Sequence, residues 1–522
     1  MPSAASTGRD PPVGSSRGFA RAFERIDSVL DAAFWPATLA VSAALFAFFL
    51  AADFRLGLWN DELITLSVAR LPGASEIAGA TMQGADMTPP LYALIVHAIL
   101  PFSPSEAAAI RLPSTIGLCV MFLALACYAV RRSSATHAIL AGLLATAILH
   151  NFGAEGRGYG LTVGLAAVSL LLWSLASDGR GRAWAIPSLA VCVAALPALH
   201  YFALCVPACL FLALFVRARS ERRFDFALAV ALLLPAALVA AAHLPFIVAT
   251  RPFLAHYWAV ASPRALASAY QNFLKWPLVL FAAATLTATY APQGRRSLQR
   301  VVPGMPGHER AALALIALAP VGVTGLAMIT THVFTDRYVV WASIGVALLT
   351  AFALQTFARQ NPVIGVTALL LLTAGFCAKE MASVRTWSTM RESEAMLAAL
   401  SSLPAGEEPI VLMDAHDFFE LSHYAPAALR RRLVYPICPD LELSALGYDT
   451  DAVNLSGLRR VTEINVVACA QALPPGADVI VAVTPRGFLP WAPNDPSVTA
   501  TPLSIDAAGV TLVRARRAKS PA

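Results

Sequence analysis

Eleven times this chain runs apolar for close to the thickness of a bilayer, and each run gives way to a short polar interval. The runs fall at about 33–52, 111–131, 135–152, 159–177, 184–200, 202–216, 226–248, 272–291, 310–330, 338–358 and 361–379. A backbone inside hydrocarbon must satisfy its own hydrogen bonds, so runs of about 20 such residues read as spanning helices. Apolar residues make up 57% of the chain and charged residues only 13%, too little polar surface for a soluble protein of this size. The expected fold class is therefore a polytopic α-helical membrane protein with about 11 transmembrane helices. Residues 1–30 are polar and read as a disordered tail, followed by an uncleaved anchor.

One apolar stretch, 89–103, is ambiguous because it is short and opens on Pro89-Pro90. If it lies on the membrane, Arg131, Arg132, Arg180, Arg182, Arg217, Arg219, Arg222, Arg223, Arg295, Arg296, Arg300 and Arg359 share one side with Arg17, Arg21 and Arg25. Basic residues concentrate on the cytoplasmic side, so this arrangement is preferred. It puts the N-terminus in the cytoplasm of a bacterial inner membrane. Residues 53–110 become a first periplasmic loop with interfacial helices within a membrane domain spanning 31–380. The net charge of +6 is then a topology signal, not a nucleic-acid signal.

Polar residues from 381 to 522 read as a periplasmic α/β domain. Strands are expected at 409–413 and 479–483, helices at 390–401 and 416–428, and a hairpin within 500–515. Of eight cysteines, only Cys438 and Cys469 lie in this region. An oxidising compartment permits a disulfide between them, and two unpaired thiols are the alternative. His416, Glu420 and His423 fall near one helix face, and solvated polar residues account for them.

The unusual residues collect on the periplasmic side. Asp61, Glu62 and Asp86 lie in the first loop, and Glu155, Arg157 and Tyr159 follow the third span. His200 and Tyr201 follow the fifth, Arg251, His256 and Tyr257 the seventh, and Asp336, Arg337 and Tyr338 the ninth. Carboxylates beside the apolar layer are costly and mark functional sites. The plain structural account of Asp61 is a helix N-cap before Glu62-Leu63-Ile64. That of Arg337 is a snorkelling anchor or a partner for Asp336.

Four motifs occur in order: Trp59-Asn60-Asp61-Glu62, Thr88-Pro89-Pro90-Leu91-Tyr92, Arg111-Leu112-Pro113-Ser114 and Glu155-Gly156-Arg157-Gly158-Tyr159. Together they resemble the signatures of GT-C glycosyltransferases. The branch they resemble includes relatives of protein O-mannosyltransferases, the lipid A aminoarabinose transferase and the rhizobial galacturonosyl transferases. The resemblance covers the first 170 residues and extends loosely through Leu199-His200-Tyr201-Phe202 and Asp336-Arg337-Tyr338. Thr88 stands where that branch often has His or Lys, and Gly156 and Gly158 depart from its usual residues.

The resemblance implies a GT-C fold and transfer of a sugar from a polyprenyl-phosphate donor to a lipid or glycan acceptor. Such transfer needs a base for the acceptor proton and cationic or hydrogen-bonding groups for the leaving phosphate. Asp61 is the expected general base of an inverting displacement, with Glu62 supporting it in catalysis. Arg337 and Arg157 are the expected phosphate ligands. Asp86, Glu155, Tyr159, His200, Tyr201, Arg251 and Tyr338 complete the expected substrate-binding set. The histidines show no metal-binding spacing, and no nucleotide-binding glycine pattern occurs, so no cofactor is assigned and a divalent metal has no sequence support. A lipid-linked sugar flippase, or a surface-glycan polymerase or ligase, is the alternative. The flippase predicts midplane charges and internal symmetry that the chain lacks.

Overall fold

The computed structural model describes residues 13–290 and 304–519, apart from 154, 359–360, 389, 391–392, 405, 485–488, 492–494 and 506–508. Arg295, Arg296, Arg300 and Arg359 lie outside the described residues. The disordered tail expected over 1–30 is instead helical from Val13 (α1, Val13–Ala32). Its apolar residues recur at helical spacing, and Asp27 accepts a hydrogen bond from Thr136 at 2.6 Å, which ties it to the bundle.

The bundle begins with α2 (Phe34–Arg55). The first loop then folds as three short helices, α3 (Asn60–Ala69), α4 (Ala74–Met82) and α5 (Leu91–Ile99). After it come α6 (Glu106–Ala129), α7 (Ala135–Ile148), α8 (His150–Gly153), α9 (Tyr159–Ser177), α10 (Arg182–Leu199) and α11 (Cys205–Glu221). The bundle closes with α12 (Phe226–Ala242), α13 (Leu244–Thr250), α14 (Pro263–Tyr290), α15 (Gly307–Ile329), α16 (Ala342–Phe357) and α17 (Pro362–Val384). Side-chain caps fix several starts: Ser105 accepts from the Ala108 amide at 3.1 Å, and Asn361 from Val363 at 3.0 Å.

All eleven expected segments are helical, but among the described residues seven helices are long and apolar enough to cross a membrane. An eighth arises if α12 and α13, bent by 48° beside Pro245, count as one span. α7 and α16 have only 14 and 16 residues and are nearly enclosed by neighbours, and polar Asn272 and Lys275 interrupt α14. The chain is a multi-pass membrane protein. The ambiguous stretch forms α5 and a 3-10 turn at Leu100–Phe102, too short to cross.

The C-terminal region builds a six-stranded sheet from β1 (Ile410–Leu412), β2 (Leu433–Ile437), β3 (Val466–Ala468), β4 (Asp478–Val483), β5 (Val498–Ile505) and β6 (Thr511–Arg517). Its order is β3-β2-β1-β4-β6-β5, parallel from β3 to β4 and antiparallel through β6 and β5. Its helices are α18 (Glu394–Ser401), α19 (Ala415–Tyr424), α20 (Ala427–Arg430), α21 (Pro439–Leu446), α22 (Thr450–Arg459) and α23 (Cys469–Ala472). The buried strand β1 and the hairpin β5–β6 follow the expected apolar runs; β2, β3, α21 and α22 carry no such signal. Cys438 and Cys469 form a disulfide with Cα atoms 4.8 Å apart.

Two large cores organise the molecule. One fills the helical bundle. The other joins Leu58, Leu63, Leu66 and Ile77 of the first loop to Phe418, Tyr435 and Leu455 of the sheet domain. The boundary expected at 380/381 is therefore crossed by continuous apolar packing. The sheet domain is seated on the first loop.

Candidate active site

Three acidic residues of the first loop, Asp61, Glu62 and Asp86, are expected at the site, and the structure gives each a different environment. Glu62 is fully buried. It is the third residue of α3, and its carboxylate accepts from the Trp59 amide at 3.2 Å, closing the helix start. It also accepts from Arg111 Nε at 2.7 Å, Arg111 Nη2 at 2.5 Å and the Gly156 amide at 2.6 Å. Arg111 is equally buried and donates to the Leu56 and Gly57 carbonyls, each at 2.7 Å. Both carboxylate oxygens of Glu62 are therefore held by protein donors, which clamps the start of α3 to Arg111 and Gly156.

Asp86 is also buried. It accepts from the Thr88 amide at 3.0 Å and the Thr88 hydroxyl at 2.8 Å. Both Arg157 Nη atoms reach it, at 2.8 and 3.3 Å. Arg157 further donates to Thr65 Oγ1 at 2.8 Å and to the Asp61 carbonyl at 3.3 Å. These bonds through Nη1 and Nη2 tie Arg157 to α3 and to Asp86.

Asp61 differs from both. Trp59, not Asp61, precedes the helix, so the capping account does not hold. The Asp61 side chain is 28% exposed, and Oδ2 accepts from Arg337 Nη1 at 3.2 Å. Arg337 lies on the 3-10 turn Asp336–Val339, with its guanidinium 4.9 Å above the Trp59 ring. Burial disfavours the Arg337 charge, but Glu155, Tyr159 and Asp61 outweigh it and hold its pKa above the usual value.

A small cavity opens beside this pair, lined by Thr65, Asp86, Thr88, Tyr92, Arg157, Tyr159 and His200. His200 stacks between Tyr159 and Tyr338, with centroids at 5.7 and 5.3 Å. Burial and the Arg157 charge push its pKa down to about 4, so the ring is neutral near pH 7. Tyr201 turns away and packs on His243 at 6.0 Å, and Arg251 is exposed in the turn Arg251–Leu254 with no ion pair among the described residues. Neither joins the cavity wall. No group of three metal-binding side chains occurs among the described residues.

The four sequence motifs are physically interlocked. Tyr92 donates to the Ile110 carbonyl at 2.6 Å, and its hydroxyl lies 3.2 Å from that of Ser114. Ser114 in turn donates to the Arg157 carbonyl. Gly156 is small because a Cβ there would meet Ile110 Cγ2 at 1.9 Å. The opposite end of the bundle carries its own network: Arg132, Ser174 and Tyr128 all donate to buried Glu309, and Arg131 and Arg132 pair with Asp178. Arg131 and Arg132 follow the C-terminal end of α6, whose N-terminal part carries Arg111.

No protein-family model and no curated protein matches the sequence. Solved structures do. ArnT from Cupriavidus metallidurans bound to undecaprenyl phosphate aligns with 94% of this chain and 100% of its own, at TM-score 0.55 and 12% identity. Its apo form aligns over 93% and 98%, with the same score and identity. The chain has the GT-C fold. A third structure, the Archaeoglobus fulgidus oligosaccharyltransferase in its apo form, matches more remotely, at TM-score 0.40 and 12% identity over 86% of this chain and 70% of that one.

Within this fold, the sheet domain brings residues close to the site that the sequence did not mark. Thr450 Oγ1 accepts from the Trp258 amide at 3.1 Å, and Asp449 lies 3.4 Å from His256. Asp451 lies close enough to feel the Asp61 charge. Burial pushes its pKa up to about 6, His416 opposes, and Asp414 and Asp61 add to the rise. Glu420, expected to be solvated, is buried and accepts from the Ser393 amide at 2.8 Å. Arg111 was the one legible omission, since an arginine heading an apolar span demands a buried partner.

Proposed function

We propose that the protein is an integral-membrane glycosyltransferase. It moves one sugar from a polyprenyl-phosphate donor to a hydroxyl of a lipid or cell-surface glycan on the periplasmic face of the inner membrane. Asp61 takes the acceptor proton as the hydroxyl oxygen attacks the anomeric carbon. The bond from that carbon to the phosphate oxygen breaks, and the polyprenyl phosphate leaves with its electron pair. A single displacement inverts the anomeric centre.

One observation carries this reading. Of the three motif carboxylates Asp61, Glu62 and Asp86, only Asp61 keeps an oxygen open to solvent, and its partner is the Arg337 guanidinium. A donor phosphate drawing Arg337 into bidentate contact would release Asp61 to act as base. Donor binding and base activation are then one event. Neutral His200, Tyr159 and Tyr338 offer hydrogen bonds to sugar hydroxyls. The ArnT structure holds undecaprenyl phosphate on the same fold, which supports a polyprenyl-phosphate partner.

The test is mass spectrometry of lipids and surface glycans from cells lacking the gene and complemented with wild type or Asp61→Asn. Removing a general base costs about 10²–10⁴-fold. The asparagine variant should accumulate normally yet fail to restore the missing glycoform. Full restoration removes Asp61 from the mechanism.

A further inference from the structure

The chain contains three lysines among its 38 Lys and Arg residues, and two of them lie within electrostatic range of each other. Lys379 lies in the last turns of α17, with Nζ 3.5 Å from His150 Nδ1. Lys275 on α14 is within electrostatic range of both. The two helices touch between these lysines: a Cβ at Gly375 would meet the Trp276 ring at 2.8 Å. Both lysines are exposed, and the neighbouring Leu274, Leu278 and Met381 present bare apolar surface to the surrounding lipid.

One lysine on such a surface is explained by snorkelling. Two lysines and an imidazole converging there are not, because like charges repel and desolvation penalises each. Among the described residues the carboxylate acting on Lys379 is Glu380, and it is buried. A single negative charge leaves the patch net positive. The patch also connects to the site. Asn272 lies one turn from Lys275 on the same face of α14 and donates to Asp336 at 2.8 Å, next to Arg337.

We propose that Lys275, Lys379 and His150 form a membrane-facing station for a lipid phosphomonoester, through which the polyprenyl phosphate enters or leaves the catalytic site. The two ammonium groups hold the phosphate oxygens, and His150 adds a hydrogen bond. Burial and the two lysine charges keep that imidazole neutral, with its pKa pushed down to about 4. The apolar faces of α14 and α17 take the first isoprenoid units. The station rests on the donor class proposed above and adds its route.

The test uses the full chain in phosphatidylcholine nanodiscs and a diazirine-bearing farnesyl phosphate, with labelled peptides mapped by mass spectrometry. Wild type and Asp61→Asn should both label α14 or α17 near Leu274 and Leu278. Intact labelling in a transfer-dead Asp61→Asn protein separates the station from the catalytic reading. The double variant K275Q/K379Q should lose about tenfold or more of the label, and K275R/K379R should keep it. Excess phosphatidic acid should compete weakly, and the matching neutral farnesol probe should label little. Unchanged labelling in K275Q/K379Q overturns the station. Competition by phosphatidic acid equal to that by unlabelled farnesyl phosphate overturns its assignment to the polyprenyl carrier.

Discussion

Two adjacent carboxylates, Asp61 and Glu62, are predicted to fail in opposite ways. Glu62→Gln keeps the side-chain shape but removes the charge that balances fully buried Arg111. Its amide cannot accept from Arg111 Nε, Arg111 Nη2, Gly156 and Trp59 together. Breaking one side of a buried ion pair costs about 3–5 kcal/mol, a large part of the net stability of most folds. Glu62→Gln should therefore lower the thermal midpoint in detergent by many degrees and reduce the folded yield. The surviving folded fraction should keep much of its specific activity. The pair replacement Glu62→Leu with Arg111→Met should recover part of the loss, because neither charge is then stranded. Asp61→Asn should leave the midpoint within about 1 kcal/mol of wild type, as expected for a partly exposed pair, and abolish transfer. The assay is fluorescence-detected thermal unfolding together with transfer activity per folded molecule. A Glu62→Gln protein with a normal midpoint and no activity would refute the division of labour.

Three further outcomes follow from the sheet domain. Gly457 on α22 packs on the first loop so closely that a Cβ would lie 2.4 Å from the Ala85 amide nitrogen, so Gly457→Val should displace the turn before Asp86 and lower transfer without touching the site; wild-type kinetics would refute this coupling. Cys438→Ser should destabilise the sheet domain by about 3–4 kcal/mol, the loop-closure value for a bridge across 31 residues, seen as earlier proteolysis of that domain; an unchanged digestion profile would contradict it. Burial, aided by the Asp414 charge, pushes the Asp417 pKa up to about 7, well above the usual carboxylate range. Its folded pKa is raised, so its stabilising contribution is complete below about pH 4 and is lost as pH rises through about 7. Asp417→Asn should flatten the fall in thermal midpoint across that window, and an equally steep fall in the variant would count against it.

The fold class was legible because lipid imposes one rule on every spanning segment, and that rule writes itself as apolar length. Crossing number was less legible. α7 and α16 are apolar because neighbouring helices enclose them, and composition does not distinguish burial in protein from burial in lipid. Site membership was legible where motifs recur in order, as at Asp61, Arg157 and Arg337. Roles were not, because Asp61, Glu62 and Asp86 are chemically alike in sequence and differ only in what donates to them. Arg111 spends four hydrogen bonds on fixed partners, two of them on Glu62, and Arg157 holds Asp86 through two more. Saturating two of three carboxylates is what leaves the third defined. The proposed base keeps an oxygen open while its loop stays rigid, and the two buried arginine clamps supply that rigidity on either side of Asp61. The sheet domain belongs to the same logic. Its apolar face completes the core under α3, so the loop that presents the base is held from below by Arg111 and from above by Phe418 and Leu455.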